Sequence, residues 1–384
     1  MSVFRQLMMK RYRTKYYMNL DIVGSPTISS GVVSGFSASN YLNLSQPFVL
    51  NSTTKAEIVV KFNMSTTATN GIIATYNSYG MLFYADTNNK LKFFMGNGSS
   101  WTLINNVSGQ TTLQNNTDYL FKIQIDNGLI KFLLSTDGIT WNLENSRTLT
   151  LTEEYTYNLS LGIGRTSSSY FNGSIDINNS YIIIDGTKYN FQFTMPLTKV
   201  GNPTITDGVV SGFSDSDYLQ SVNNMPNSDI RNYEFCFKTT ITQLNNTVDC
   251  YLFTYHTSSR GGIRLTTANK IQWVISRVVG TSGDNSILSD IISLNDTLII
   301  KCGHRGNNTD NDIFYMKISK DNGITWVEYT YKNDSELANV STSHYFTIGG
   351  SQYFSTKRPY ICGSIDIPNS YIIADGTKYI FTLP

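Results

Sequence analysis

Two stretches of the chain read almost letter for letter alike, Gly173-Ser-Ile-Asp-Ile-Asn-Asn-Ser-Tyr-Ile-Ile-Ile-Asp-Gly-Thr-Lys-Tyr189 and Gly363-Ser-Ile-Asp-Ile-Pro-Asn-Ser-Tyr-Ile-Ile-Ala-Asp-Gly-Thr-Lys-Tyr379. Further upstream, Gly31-Val-Val-Ser-Gly-Phe36 returns as Gly208-Val-Val-Ser-Gly-Phe213. The shared stretches keep the same order and span each half from end to end. This is the pattern of a duplicated domain and not of a short solenoid repeat.

Within each copy the apolar residues recur mainly with a period of two, as in Ala56-Glu-Ile-Val-Val-Lys-Phe62 and Tyr119-Leu-Phe-Lys-Ile-Gln-Ile125. This period is typical of β-strands. Turn signals such as Asp126-Asn-Gly128, Asp137-Gly138 and Asp185-Gly186 separate the runs at hairpin distances. No window after residue 20 has three turns of helical spacing. The sequence therefore predicts an all-β chain with two tandem sandwiches of antiparallel sheets.

The repeats place the first domain at residues 21–195 and the second at 196–384, with a short linker over about 193–203 that proline stiffens. Residues 1–20 precede both domains and predict a short basic arm, helical or extended, that docks the chain to a larger assembly. A solvated leader is the alternative. The basic residues of this arm are Arg5, Lys10, Arg11, Arg13 and Lys15.

The charge balance argues against nucleic acid as a ligand. The chain has 29 basic and 28 acidic residues, so its net charge is +1 and it has no global field to hold a phosphate backbone. No apolar run near the N-terminus has the length of a secretory signal, and no stretch has the length of a membrane span. The cysteines all lie in the second half, which predicts free buried thiols and no shared disulfide: Cys236, Cys250, Cys302 and Cys362.

The carboxylates and histidines do not form a catalytic pattern, so we expect no enzyme. The E-x-D-x-x-E spacing of sandwich glucanases is missing among the seven glutamates, which include Glu144, Glu153 and Glu154. No G-x-S-x-G elbow accompanies His256, His304 and His344, all of which lie in the second copy.

One further motif occurs once in each copy. Ser319-Lys-Asp-Asn-Gly-Ile-Thr-Trp326 fits the Asp-box pattern of sialidase propellers, and Ser135-Thr-Asp-Gly-Ile-Thr-Trp141 is one residue shorter. The pattern predicts a hairpin in which the aspartate caps turn amides and the glycine takes a positive φ. A propeller needs several boxes at blade spacing, so we expect a structural role for these two.

The end of each copy resembles a known sandwich family. Leu159-Ser-Leu-Gly-Ile-Gly164 is followed by Phe171-Asn-Gly-Ser-Ile175, and the second copy has Phe346-Thr-Ile-Gly-Gly350 and Cys362-Gly-Ser-Ile365. These segments resemble the closing strands of laminin G-like, or concanavalin A-like, lectin and glucanase domains. The resemblance covers the last third of each copy and implies a concanavalin A-like jelly roll.

The paired sandwiches, the Asn- and Tyr-rich composition and the basic leader also resemble virion proteins of bacteriophages that infect gut bacteria. This resemblance implies a structural and adhesive protein at the virion surface, as a tail fibre, head fibre or capsid decoration, assembled in the host cytoplasm. Its implied partners are other virion proteins through the arm, a host-surface glycan and further copies of the chain. A free carbohydrate-binding module and a glycan-cleaving enzyme remain as alternatives.

Glycan binding needs aromatic faces to stack on sugars, with polar groups nearby, in loops of a rigid scaffold. A core position is the alternative for every aromatic candidate. Calcium between loops is a further alternative for Asp176, Asp185, Asp366 and Asp375, but turn capping accounts for Asp185 and Asp375, so no metal or cofactor is predicted. The predicted carbohydrate-binding residues are Tyr76, Tyr79, Trp101, Tyr255, His256, Arg260 and Trp273.

Overall fold

The fold was obtained as a computed structural model that describes residues 16–65, 70–75, 78–166, 169–214, 216–222, 228–229, 232–244, 249–255, 261–275, 285–305, 313–332, 339–340, 345–350 and 363–384. These residues form strands, turns and bends and no α-helix, so the predicted all-β class is confirmed. No helix of the described part is long and apolar enough to cross a membrane. Residue contacts divide the chain into two units, Met1–Gln192 and Phe193–Pro384.

The strands of the first unit alternate buried and exposed side chains, as the period of two predicts. They are β1 (Tyr16–Val23), β2 (Thr27–Ser29), β3 (Val32–Ser34), β4 (Tyr41–Leu44), β5 (Phe48–Leu50), β6 (Ala56–Met64), β7 (Asn70–Thr75), β8 (Tyr79–Ala85), β9 (Lys90–Gly98), β10 (Ile104–Thr112), β11 (Asp118–Asp126), β12 (Leu129–Ser135), β13 (Asn142–Thr148), β14 (Tyr155–Tyr157), β15 (Leu159–Leu161), β16 (Gly173–Ile184) and β17 (Thr187–Val200).

Strand pairing in the first unit gives two antiparallel layers. One layer has the order β2-β3-β16-β6-β11-β12-β13. The other has the order β1-β4-β15-β7-β8-β9-β10. Phe83 of the second layer stacks on Phe121 of the first with ring centroids 3.6 Å apart, and Phe93 packs on Phe132 at 4.4 Å. The core therefore lies between the layers, as in a β-sandwich.

The second unit begins within β17 and repeats this architecture. Its further strands are β18 (Thr204–Thr206), β19 (Val209–Ser211), β20 (Tyr218–Ser221), β21 (Ser228–Asp229), β22 (Tyr233–Ile241), β23 (Cys250–Thr254), β24 (Gly262–Leu265), β25 (Lys270–Ile275), β26 (Asn285–Ile291), β27 (Thr297–Arg305), β28 (Ile313–Ser319), β29 (Val327–Lys332), β30 (Asn339–Val340), β31 (Thr347–Ile348), β32 (Gly363–Ala374) and β33 (Thr377–Thr382).

Its layers have the orders β18-β19-β32-β22-β27-β28-β29 and β17-β20-β31-β23-β24-β25-β26. Strand by strand, these orders match those of the first unit. Phe237 and Phe253 pack across the layers with centroids 4.8 Å apart. Cys236, Cys250 and Cys302 are buried and form no disulfide, as predicted, whereas Cys362 lies outside the described residues.

The segment predicted as a linker is a strand for most of its length. β17 continues to Val200, and its residues 193–196 pair with β33 in parallel. Phe193 and Met195 are only 2% and 3% exposed, because alternate side chains of this strand point into the core. Pro196 occupies the last position of the pairing with β33, where proline interrupts little of the hydrogen-bonded ladder.

The predicted arm is also shorter than residues 1–20. β1 begins at Tyr16, and Met18 and Leu20 are buried in the first unit, so residues 16–20 belong to the sandwich. The five basic residues predicted to dock the chain lie outside the described residues: Arg5, Lys10, Arg11, Arg13 and Lys15.

Candidate functional site

The outer surface of the hairpin β8–β9 in the first unit bears a row of aromatic side chains. Alternate residues of each strand, such as Phe83 and Phe93, point into the core. Tyr84 and Phe94 follow them in sequence and therefore point to the opposite face. Trp101, in the loop after β9, and Tyr79, at the start of β8, extend the row, and all four rings are half-buried. We call Tyr79, Tyr84, Phe94 and Trp101 the aromatic face.

The rings of the aromatic face form a continuous series. The centroids of Tyr84 and Phe94 are 6.0 Å apart with nearly parallel rings at 17°. Phe94 and Trp101 follow at 5.2 Å, and Trp101 and Tyr79 are again 5.2 Å apart, with rings inclined at 71°. At the far end, the guanidinium carbon of Arg165 lies 4.4 Å from the centroid of Tyr79. The series thus runs from strand to loop and ends at a cation.

The loop that presents Trp101 is held by local hydrogen bonds. The side-chain oxygen of Asn97 accepts from the backbone amides of Ser99 and Ser100, both at 3.1 Å. An Asn side chain commonly fixes a turn in this way. A Cβ at Gly96 would lie 2.1 Å from the carbonyl oxygen of Ser100 and 2.3 Å from that of Tyr79. The loop and β8 therefore approach closely only because residue 96 is glycine.

Glycines also position Arg165. The amide of Gly162 donates to the carbonyl oxygen of Ile72 at 2.9 Å, and the amide of Gly164 donates to that of Ser169. A Cβ at Gly71 would lie 2.3 Å from the nitrogen of Gly164. Residues 161–164 thus pass close to β7 and place the next residue, Arg165, at the edge of the aromatic face.

Polar groups border the row at its strand end. Lys92 is the cross-strand partner of Tyr84, and its ammonium group lies 3.8 Å from a carboxylate oxygen of Asp86 and donates to the Ser108 hydroxyl at 2.5 Å. Burial, followed by the charge of Asp86, raises the pKa of the Tyr84 phenol. The hydroxyl therefore stays protonated at neutral pH and can donate a hydrogen bond.

Among the described residues of the second unit, the equivalent hairpin, β24–β25, has no counterpart of the aromatic face. The two hairpins turn at Asn89 and Asn269, both with φ of 57°, and this alignment puts Arg264 in the place of Tyr84. Arg264 donates to Gln272 at 2.7 Å and pairs with Asp249 at 3.0 Å. This surface is a polar network whose members bond to one another.

The structure brings two of the predicted binding residues together, Tyr79 and Trp101. Tyr76, His256 and Arg260 lie outside the described residues.

The assignment of Tyr255 and Trp273 to exposed loops is corrected. Trp273 is fully buried on β25, and Tyr255 is 1% exposed and donates to the carbonyl oxygen of Val274 at 3.0 Å. Neither ring offers a face to a ligand, because both point between the layers.

Sequence reasoning missed Tyr84, Phe94 and Arg165. A signal for Phe94 was available, because two consecutive phenylalanines, Phe93-Phe94, in a strand must point to opposite faces. For Arg165 the signal was weaker. The first copy has only two arginines after the leader, Arg147 and Arg165, and one of them directly follows a closely spaced pair of glycines.

The Asp boxes have the predicted hairpin role. Asp137 accepts from the amides of Ile139 and Thr140 at 2.8 and 2.7 Å, and Gly138 has φ of 74°. These amide hydrogen bonds, that of Thr140 first, lower the pKa of the Asp137 carboxyl to about 2. Asp321 in the second unit makes the same kind of contacts.

The aspartates considered for calcium have protein partners. Asp176 pairs with Lys61 and Asp366 with Lys238, each at 3.1 Å. Asp185 accepts from the amide of Lys55 at 3.0 Å and adopts φ of 47° before a glycine, as its predicted turn role requires. Within the described residues, no group of three or more His, Cys, Asp or Glu side chains is placed to hold a metal ion.

No protein-family model matches the chain, and no curated protein matches it. Among solved structures, the chain is similar to domains LG4-5 of the mouse laminin α1 chain, with 10% identity, coverage of 94% of this chain and 92% of that chain, and a TM-score of 0.30. It is also similar to the exoplasmic/lumenal domain of VIP36 with Ca²⁺ and Man2 bound, with 16% identity, coverage of 44% and 80%, and a TM-score of 0.32. A SAP-like pentraxin from Limulus polyphemus has 9% identity, coverage of 43% and 74%, and a TM-score of 0.29.

Proposed function

We propose that this protein is a non-enzymatic adhesion protein that binds carbohydrate on the aromatic face of its first unit. The observation that carries the proposal is the series of four half-buried rings, 5.2 to 6.0 Å apart, on the outside of a rigid sheet. The C–H face of a sugar packs on an aromatic ring, and its hydroxyls bond to polar groups at the border. Tyr84, Lys92 and Ser108 offer such groups beside the rings.

The position of these rings argues for a ligand more than for packing. A fully buried aromatic side chain gains about 1.5–3 kcal/mol over an exposed one, and half-buried rings forgo part of that gain. Adjacent apolar rings on a surface are typical of binding sites. The equivalent surface of the second unit has hydrogen-bonded polar side chains, so the sandwich itself does not require aromatic residues there.

The same proposal places the protein on a virion, as a bacteriophage tail or head fibre or a capsid decoration, docked through its N-terminal arm to other virion proteins. Support comes from the basic leader ahead of β1 and from the resemblance in composition to phage surface proteins. A host-surface glycan is then the target of the aromatic face, and association of several copies multiplies weak binding. The alternative, a free carbohydrate-binding module, uses the same face without a particle.

Binding is tested on an array of bacterial surface polysaccharides. We expect the full chain to bind at least one polymer, and Trp101→Ala to weaken that binding about tenfold or more, because one stacked ring is lost. Tyr170→Ala is the matched control, since Tyr170 is 44% exposed and makes no ring contact with the four residues of the aromatic face. An array without any bound polymer, or equal losses in both variants, would contradict the proposal.

Docking is tested separately by deleting residues 2–15, which leaves β1 intact. We expect the shortened chain to remain folded and keep its glycan binding but to disappear from purified particles. Its normal incorporation would contradict the docking role of the arm. If the full chain itself never sediments with particles, the free module replaces the virion protein.

A further inference from the structure

The aromatic face ends at a cation that has no anionic partner among the described residues. The guanidinium carbon of Arg165 lies over the Tyr79 ring, 4.4 Å from its centroid, and the side chain forms no ion pair with any described carboxylate. Arg147, the other arginine of this unit after the leader, donates to Asn145 at 2.6 Å and to the carbonyl oxygen of Ser146 at 2.8 Å. Of the two described arginines of the first unit, Arg165 is therefore the one placed to bind something outside the protein.

The contact with Tyr79 leaves N–H donors of Arg165 available to a ligand. A guanidinium group has five N–H donors, and one ring 4.4 Å from its central carbon covers at most one side of the group. The donors can grip a carboxylate through two parallel hydrogen bonds. Arg165 is half-buried, and Tyr79 limits the directions that its long side chain can take.

The charges near the aromatic face also favour an anionic ligand at Arg165. Lys92 lies beside Tyr84 at one end of the aromatic face and Arg165 lies over Tyr79 at the other, and Asp86 is near Lys92. Asp86 lies 3.8 Å from Lys92, so these two charges offset each other and Arg165 remains uncompensated. This excess is local, because the whole chain has a net charge of +1.

The arginine and the aromatic residues also change together between the two copies. Gly162 is equivalent to Gly349, as each has φ near 80° and lies against Phe36 or Phe213, so at the place of Gly164-Arg165 the second copy reads Ser351-Gln352. At the places of Tyr84 and Phe94 it has Arg264 and Val274. The core positions of the same hairpin stay apolar and buried, as Phe93 is replaced by Trp273 and Phe83 by Ile263. Residues that change as a group while the fold persists are expected to serve one task.

We infer that the aromatic face selects acidic carbohydrate, with Arg165 binding the carboxylate of a sugar that stacks at the end formed by Tyr79 and Trp101. This inference rests on the proposed function and adds the chemical class of the ligand. Arg165 is then a specificity-determining residue, and the rings supply the contact area shared by acidic and neutral sugars.

The test uses the full chain and three acidic polymers, alginate, polygalacturonate and polysialic acid, each paired with its carboxyl-reduced form. Reduction replaces the carboxylate with a hydroxymethyl group and leaves the backbone of the polymer in place. By calorimetry or biolayer interferometry we expect at least one acidic polymer to bind about tenfold or more tightly than its reduced form. Because the contact is between charges, added salt should narrow that difference.

Variants assign the effect to one residue. Arg165→Gln should reduce binding of the acidic polymer to the level of the reduced one, Arg165→Lys should retain part of the difference, and Arg147→Gln should leave binding unchanged. Equal binding of acidic and reduced polymers by the wild-type chain would overturn the inference without any variant. So would an acidic preference that persists in Arg165→Gln.

The outcomes also separate this inference from the proposed function. Binding of neutral dextran or laminarin that Trp101→Ala abolishes and Arg165→Gln does not affect would keep the carbohydrate site and discard acidic selectivity. A chain that binds none of the acidic, reduced or neutral polymers would refute both.

Discussion

Glu144 links the edges of the two layers in the first unit. It lies on β13, is 2% exposed and accepts from the amides of Gln110 and Thr111 of β10 at 2.6 and 2.7 Å. The Thr111 hydroxyl donates to its other oxygen at 2.5 Å. β10 and β13 are the last strands of different layers, so one carboxylate satisfies donors across the open side of the sandwich.

Removal of this carboxylate should be costly. Glu144→Ala leaves two amides and a hydroxyl of β10 without their acceptor, and we expect the free energy of unfolding to fall by about 3 kcal/mol. Urea denaturation measures this loss. Glu153→Ala, at an exposed glutamate, should change the stability by less than about 0.5 kcal/mol. Similar effects of the two substitutions would show that the contacts of Glu144 contribute little.

The Asp boxes make stability depend on pH in a definite direction. Hydrogen bonds lower the pKa of Asp137 and of Asp321 to about 2 from an ordinary 3.8, led by the Thr140 amide in the first and the Thr325 hydroxyl in the second. A carboxyl whose pKa is lower in the folded chain stabilises it above its unfolded pKa and loses that contribution as the pH falls through the folded value. The contribution is thus complete above about pH 5 and disappears toward about pH 2.

We therefore expect Asp137→Ala to lower the Tm at pH 7 and to have a much smaller effect at pH 2. Thermal unfolding followed by circular dichroism at both pH values tests this. Glu154→Ala, at an exposed glutamate that caps no turn, is the control and should leave the Tm unchanged at either pH. A Tm difference for Asp137→Ala that stays constant from pH 7 to pH 2 would contradict the role of the charge.

At the scale of strands and turns, two glycines with the same backbone conformation have different surroundings. Gly162 follows β15 with φ of 82°, and a Cβ there would lie 2.0 Å from a ring carbon of Phe36. Gly186 lies in the turn between β16 and β17 with φ of 80°, and nothing is within 4 Å of its Cβ position. Gly186 is therefore required by its backbone conformation alone, whereas Gly162 is required by both its conformation and its packing against Phe36.

Alanine substitutions separate these two causes. Gly186→Ala should cost about 1 kcal/mol, the strain of a left-handed conformation. Gly162→Ala should cost about 3 kcal/mol or more, because Phe36 must also move. Urea denaturation of the two variants gives the comparison, and equal losses would mean that Phe36 adapts without cost.

Local chemistry made some of these elements predictable. The Asp-Gly turns and the Asp boxes depend on residues within four positions of each other, and the sequence identified both correctly. The face to which an aromatic residue points depends on which strands pair, which is a non-local property. For this reason the sequence predicts both Trp101 and Trp273 as carbohydrate-binding residues, although Trp101 lies at the surface and Trp273 in the core.

The prediction of a linker over residues 193–203 is wrong for the same reason. Pro196 and Pro203 are local signals of a linker, but long-range pairing with β33 places residues 193–196 in a sheet. The buried alternation of Phe191, Phe193 and Met195 was present in the sequence and outweighs the prolines.

Across the whole molecule, the duplication preserved one outer surface and changed another. Lys122 lies over the ring of Trp141 at 4.2 Å in the first unit, and Lys301 over that of Trp326 at 5.2 Å in the second. These pairs cover the same layer at equivalent positions beside each Asp box. The other layer carries the aromatic face in the first unit and a polar network in the second, so the proposed binding site belongs to one copy and the scaffold to both.

The position of the boundary between the copies, within β17, can be tested by the stability of fragments that start at different residues of this strand. A fragment of residues 193–384 keeps Phe193 and Met195, which are buried in the second unit, where this end of β17 pairs with β33. A fragment that starts at Pro196, the boundary that the sequence predicts, lacks both side chains and keeps only the last of the four positions that pair with β33. Each lost side chain removes about 1.5–3 kcal/mol of burial, so the shorter fragment should be less stable by about 3 kcal/mol or more, or unfolded.

A third fragment, residues 189–384, is the matched control. Its four additional residues, 189–192, belong to the first unit, where Tyr189 and Asn190 pair with β16, so they should add nothing to the stability of the second. In urea denaturation, fragments 189–384 and 193–384 should therefore unfold at the same urea concentration. Fragment 196–384 should unfold at a much lower concentration. If all three unfold at the same urea concentration, the strand through the junction contributes nothing to the second sandwich, and the division at Gln192 and Phe193 has no energetic basis. If 193–384 itself does not fold, the second copy depends on the first and the two sandwiches are not independent folding units.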